Sequence, residues 1–232
     1  MKKTNLILVS AVVFFSFLIS CKKKNDAPTP DVDLPSQTKS LNKILFETEV
    51  GSSPSIYQLT TMNTDGSSEL QLTNFSNGTN SVYTGGASFS PDGTKIVFTT
   101  NKDASGGEIY IMNSDGTGIT RLTNNLRTEQ FPTFSPNGNK ILFEAEVGSS
   151  PSIYQLMTMN IDGSSELQLT NFSNGSNSVY TGGSCFSPDG SKIVFTTNKD
   201  ASGGEIYIMN SDGTGITRLT NNLRTEQFPK WK

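Results

Sequence analysis

Glu47 and Glu49, and again Glu144 and Glu146, stand two residues apart in runs beginning Lys43-Ile-Leu-Phe and Lys140-Ile-Leu-Phe that read as strands. At period 2 both carboxylates of a pair point the same way. Two facing carboxylates are the apparatus of glycoside hydrolysis, although a solvated strand end is the simpler reading. The chain has no His. That excludes Ser-His-Asp and Cys-His nucleophile arrangements and the His-rich zinc sites. Neither G-x-S-x-G nor a P-loop occurs. Asp65, Asp115, Asp162 and Asp212 each precede a Gly; one carboxylate per loop is short of a calcium site, so they read as hairpin turns. Cys185 has Ser88 as its repeat counterpart and no His to activate it, which suits a small buried strand residue. The expectation is no catalytic residue, no metal and no cofactor.

The residue types that suit binding are Tyr83, Arg127, Glu129 and Gln130, repeated as Tyr180, Arg224, Glu226 and Gln227, with Lys102-Asp103 and Lys199-Asp200 nearby. Tyr and Arg are common interface anchors, and loops on a rigid scaffold concentrate binding residues. Each alone is more simply a surface residue; together they define one candidate loop face.

What positions them is a repeat. Phe89-Ser-Pro-Asp-Gly-Thr-Lys-Ile-Val-Phe98 recurs from Phe134 and from Phe186. Pro presets φ, Asp or Asn caps, and Gly accepts positive φ, so each copy is strand, tight turn, strand. Glu108-Ile-Tyr-Ile-Met-Asn-Ser-Asp-Gly-Thr117 and Thr120-Arg-Leu-Thr123 add a third strand, an Asp-Gly turn and a fourth. Four short strands in roughly 45 residues make a propeller blade. The run from Phe89 to Asn124 resembles the WD-repeat-like propeller repeat of the TolB family, and the resemblance spans residues 43–232. It implies a propeller; such repeats serve binding proteins, peptidase gating domains and polysaccharide lyases alike. The related oligogalacturonate lyases use a His-containing metal site, which this chain cannot supply.

A longer period of 97 relates Lys43 to Lys140, and residues 42–135 and 139–232 differ at ten of 94 aligned positions. The sequence therefore predicts an all-β propeller of four blades, each of four antiparallel strands, built as two near-identical two-blade units. The first blade lacks its innermost strand, and residues 226–232, ending Phe-Pro-Lys-Trp-Lys, are expected to supply it and close the ring. Closure would place Tyr83 opposite Tyr180, and Arg127 opposite Arg224, across a two-fold axis.

Residues 1–20 read as a signal peptide: Lys2 and Lys3, then an apolar run over 6–20 that is short of the ~20 residues of a membrane span. Leu18-Ile-Ser-Cys21 resembles a bacterial lipobox, which implies lipidation of Cys21. Residues 21–42, with Pro28, Pro30 and Pro35 and four Lys after Cys21, read as a flexible tether. From 43 onward 12 Lys and Arg face 18 Asp and Glu, a net −6, with no basic patch, so no nucleic acid is expected. The expected function is a non-catalytic, lipid-anchored module of the bacterial cell envelope, at the outer membrane on its periplasmic or surface side, that binds a protein or glycan through its loop face. The alternative is a glycan-active hydrolase or lyase using the paired carboxylates. A monomer is expected; a dimeric eight-bladed ring made by exchanging the last strand is the rival.

Overall fold

The computed structural model describes residues 42–232, with 77, 174, 176, 201, 202, 223 and the side chain of residue 149 left out. The expected leader, Cys21 with its expected lipidation, and all but the last residue of the expected tether lie outside the described residues.

All the described secondary structure is β. The first blade holds β1 (Lys43–Ser52), β2 (Ser55–Asn63) and β3 (Leu70–Gln71). The second holds β4 (Thr84–Phe89), β5 (Lys95–Thr100), β6 (Glu108–Asn113) and β7 (Thr120–Arg121). The third holds β8 (Glu129–Phe134), β9 (Lys140–Ser149), β10 (Ser152–Asn160) and β11 (Leu167–Gln168), and the fourth β12 (Thr181–Phe186), β13 (Lys192–Thr197), β14 (Glu205–Asn210) and β15 (Thr217–Arg218). Each sheet is antiparallel with its strands in sequence order. The expected four-bladed, all-β propeller is what forms.

The turns behave as their residues require. Asp92 accepts from the backbone N–H of Thr94 at 3.0 Å, and the Ser90 hydroxyl accepts from Lys95 N at 2.9 Å, while Gly93 takes φ 70°. At the Asp-Gly turns, Asp115 accepts from Thr117 N at 2.9 Å and from its hydroxyl at 2.7 Å. These carboxylates are spent on local turn bonds, which hold Asp92 and Asp115 below the usual carboxylate range.

Three apolar cores sit at the three joints between consecutive blades. Leu45, Leu59 and Leu72 meet Ile96, Phe98 and Tyr110; Val97 and Ile109 meet Ile141 and Phe143; Leu142, Leu156 and Leu169 meet Phe195 and Tyr207. The two faces of a strand thus serve different joints: in β9, Leu142 looks forward to the fourth blade, and Ile141 and Phe143 look back to the second.

The ends differ from expectation. Residues 226–232 carry no strand, and the first sheet has three strands with β1 at its edge. The terminal segment stays on the fourth blade: Glu226 N donates to Gly204 O at 2.8 Å, and the Cys185 thiol reaches Pro229 O at 3.6 Å. Among the described residues, the substantial strand packing runs between neighbouring blades and none of it joins the fourth to the first. Over the described residues the ring is therefore open. Ile44 is 40% exposed where its counterpart Ile141 is fully buried. A Cβ on Gly163 would lie 2.9 Å from the Leu122 carbonyl of the preceding blade, whereas the same construction on Gly66 meets nothing within 4 Å. The physical reason is that β1 and the last segment lie at opposite ends of a run of blades, and each joint is satisfied by its neighbours alone.

Candidate functional site

The strand glutamates come first. In β9, Glu144 is buried; Gln130 Nε2 donates to its Oε2 at 3.1 Å. Burial pushes its carboxyl up to about 8, partly offset by the Gln130 amide and the Gly183 N–H. A Cβ on Gly182 would stand 2.8 Å from its Oε1, so the Gly182-Gly183 pair, with Gly183 at φ 60°, is what lets the next blade's inner strand close on the carboxylate. Glu47 repeats the latch in the first blade, accepting from Gly86 N at 2.9 Å, and desolvation raises its carboxyl too. The inner member of each predicted carboxylate pair thus faces the neighbouring blade and holds a joint. Gly182→Ala is expected to cost about 1–3 kcal/mol through overpacking, read by urea denaturation; an unchanged midpoint would show that Glu144 has room to move.

The loop face gathers a second polar cluster. Glu129 is fully buried at the start of β8, accepting from Asn125 Nδ2 at 2.7 Å and from the Thr123 hydroxyl at 3.1 Å. Burial, with nearby Glu108 adding to it, pushes Glu129 up to about 7 against the bonds from Asn125 and Thr123. Glu108, also buried, pairs with Arg121 at 2.9 Å. Arg127 lies with its Nε 3.5 Å from Glu129 and its terminal nitrogen on Glu166 of the third blade. Between residues 103–106 and 121–127 opens a cleft of about 270 Å³, lined by Arg121, Asn125, Leu126 and Arg127. Leu126 is fully exposed at its lip. A second depression, lined by Asn80, Asn101, Lys102 and Asp103, flanks the same loop.

The fourth blade rebuilds part of this: Arg218 pairs with Glu205 at 2.8 Å, and Glu226 accepts from Asn222 Nδ2 at 2.7 Å. Arg224 is exposed, with its backbone N–H on Asn222 at 2.7 Å. Tyr180, half-buried, pairs with Gln227, and desolvation is the larger influence on its raised phenol. Tyr83 is 39% exposed and its phenol is raised by desolvation and by Glu47. The predicted residues therefore serve local contacts, within a blade as Gln130 does with Glu144, or across the joint to the next one as Arg127 does with Glu166. No described contact brings Tyr83 to Tyr180 or Arg127 to Arg224, as expected for an open ring.

Lys102 and Asp103 are structural. The Lys102 ammonium sits 5.0 Å from the Tyr110 ring and 5.3 Å from Phe75, in contact with Asp103, which accepts from Tyr110 OH at 2.7 Å. Sequence reasoning missed Glu108, Arg121, Asn125 and Leu126. Arg121 read as an ordinary residue of the fourth strand; only the arrival of Glu108 from the third strand makes it part of a site.

Residues 75–184 match the model of the TolB beta propeller domain. The Protein TolB homolog of Chlorobaculum tepidum is 32% identical over 132 residues, 55% of this chain and 27% of that protein. Dipeptidyl-peptidase 5 of Porphyromonas endodontalis is 27% identical over 119 residues, 49% of this chain and 16% of its own. The chain thus spans less than half the length of these relatives. Among solved structures, TolB from Acinetobacter baumannii superposes with TM-score 0.61 over 80% of this chain and 42% of its own, at 21% identity, a likeness of fold. Repeat, blade architecture and the family-model match over residues 75–184 agree on a TolB-like β-propeller fold.

Proposed function

We propose that the chain is a non-catalytic binding module of the bacterial cell envelope, tethered through a lipid on Cys21, that grips a protein or glycan with the loop face of its second and third blades. The observation that carries this is the cleft lined by Arg121, Arg127 and the exposed Leu126. An apolar tip flanked by fork-shaped donors suits a partner offering an apolar group next to a carboxylate or a polar backbone. The TolB-like fold and the lipobox-like leader support the envelope setting.

The test uses the chain immobilised against solubilised envelope. A partner retained by the wild type should be lost by Leu126→Asp and weakened by Arg127→Ala by about 1–3 kcal/mol, measured by calorimetry once it is isolated. Retention unchanged in both variants would remove the cleft as the site. The relatives include a peptidase, so a glycan array with product analysis addresses the enzymatic alternative, a glycan-active hydrolase or lyase using the paired carboxylates: product release would favour the enzyme, and binding without product the module.

A further inference from the structure

Among the described residues, the two end faces of the blade run carry the repeat counterparts of the two sides of a joint already made inside the chain. At the joint between the second and third blades, Val97, Ile109 and Phe134 close over Ile141 and Phe143. Arg127 crosses that joint to Glu166, and the turn at Gly163 rests on the Leu122 carbonyl. A shift of 97 residues carries one side of this joint onto the fourth blade, as Val194, Ile206 and Trp231, and the other onto the first, as Ile44 and Phe46. It also matches Arg224 to Glu69 and Leu219 to Gly66. In the structure these groups stand at opposite ends: Ile44 and Leu219 are 40% and 56% exposed, Arg224 and Glu69 are exposed, and Gly66 has open space around it.

The terminal segment already has the shape of an inner strand. Phe228 takes φ 54° where Phe131 of β8 takes 53°, and Glu226 N donates to Gly204 O at 2.8 Å as Glu129 N does to Gly107 O at 2.7 Å. β8 pairs with β9 as Glu129↔Ala145, Gln130↔Glu144, Thr133↔Leu142 and Phe134↔Ile141. The same register, moved by 97, sets Glu226 opposite Thr48 and Trp231 opposite Ile44 on the open edge of β1.

We propose that a second copy of this chain docks head to tail on the first, its fourth blade against the other's first blade, with its residues 226–231 added to β1 as the fourth strand. Strand addition satisfies the row of edge N–H and C=O groups and covers the apolar end face in the same step. Thr48 and Thr60 stand where the internal joint has Ala145 and Met157, so this contact is more polar than its internal template and separates more readily. Such a contact is heterologous: it closes as a ring if the blade rotation allows, at eight blades for two copies, and otherwise extends.

The experiment uses two differently tagged full-length chains in a Cys185→Ser background, one carrying Thr48→Cys and the other Glu226→Cys. Directly opposed strand residues lie within disulfide reach. Mild oxidation of the mixture should give a reducible species bearing both tags, at least tenfold above what the same two tagged chains give when either substitution is omitted. A disulfide formed inside one chain carrying both substitutions, with none in the mixture, would mean closure in cis and overturn the proposal, as would no disulfide in either case. Independently, sedimentation of the full chain in density-matched detergent should give a mass of two or more chains, reduced to one by Ile44→Asp with circular dichroism unchanged. A single-chain mass for the wild type, or an unchanged assembly in Ile44→Asp, would overturn it.

Discussion

Phe143→Ala should cost about 3–5 kcal/mol of folding stability, while the same change at its repeat counterpart, Phe46→Ala, should cost only about 1 kcal/mol. The two residues share the sequence Lys-Ile-Leu-Phe-Glu and the third position after their Lys. What differs is the neighbour. Phe143 is fully buried in the core shared with Val97 and Ile109, whereas Phe46 is half-buried on a face with no preceding blade. Removing a ring from a filled core forfeits its transfer energy and leaves a cavity; removing one from an open face forfeits part of the transfer term alone. Urea unfolding of both variants, in the Ile44→Asp background so that self-association adds nothing, measures the pair. Equal costs would mean that the first blade's outer face is covered within the chain and that the ring closes after all.

That asymmetry marks the boundary of what the sequence discloses. Blade count, strand order and turn positions were legible because each rests on local chemistry: Pro-Asp-Gly at 91–93, Asp-Gly at 115–116, and the period-2 run after Lys95. The closing strand was not. Glu226-Gln-Phe-Pro has the same residues as Glu129-Gln-Phe-Pro and shares the positive φ at its Phe, yet pairing also needs a partner edge within reach, and the curvature that would bring β1 round is a property of packed blades rather than of any residue. The candidate site was half legible. Arg127, Glu129 and Gln130 could be named as a loop cluster, but Glu129 and Gln130 turned out to serve buried bonds, Glu129 with Asn125 and Gln130 with Glu144. Leu126, the exposed apolar tip, looks in sequence like any other Leu. Only the solvent around it distinguishes it.

Raising the pH from about 5 to about 8 should destabilise the protein, and Glu144→Gln should remove much of that slope. Burial lifts the Glu144 carboxyl from 4.5 to about 8 in the folded chain. The folded state therefore holds a proton that the unfolded state has released between those values. Stability falls with pH wherever the native state binds more protons, so the contribution of Glu144 is complete below the ordinary carboxylate range and is lost as pH rises through about 8. The slope for one such group approaches about 1.4 kcal/mol per pH unit. Glu129, raised to about 7 by its own burial, adds a second loss over the lower part of the same window. The turn carboxylates act oppositely: Asp92 and Asp189 are held low by hydrogen bonds from their turns, so their stabilisation is present above the ordinary range and is lost in acid. The two trends place the stability maximum near pH 5. In Glu144→Gln the Gln130 carboxamide can rotate to offer its carbonyl to the new N–H, so the latch survives without its charge. The variant should melt above the wild type at pH 8 and close to it at pH 5, as read by thermal denaturation at the two values. A wild type whose melting temperature rises from pH 5 to pH 8, or a variant with an undiminished slope, would mean that water reaches Glu144 in the joint and that the carboxylate is solvated there.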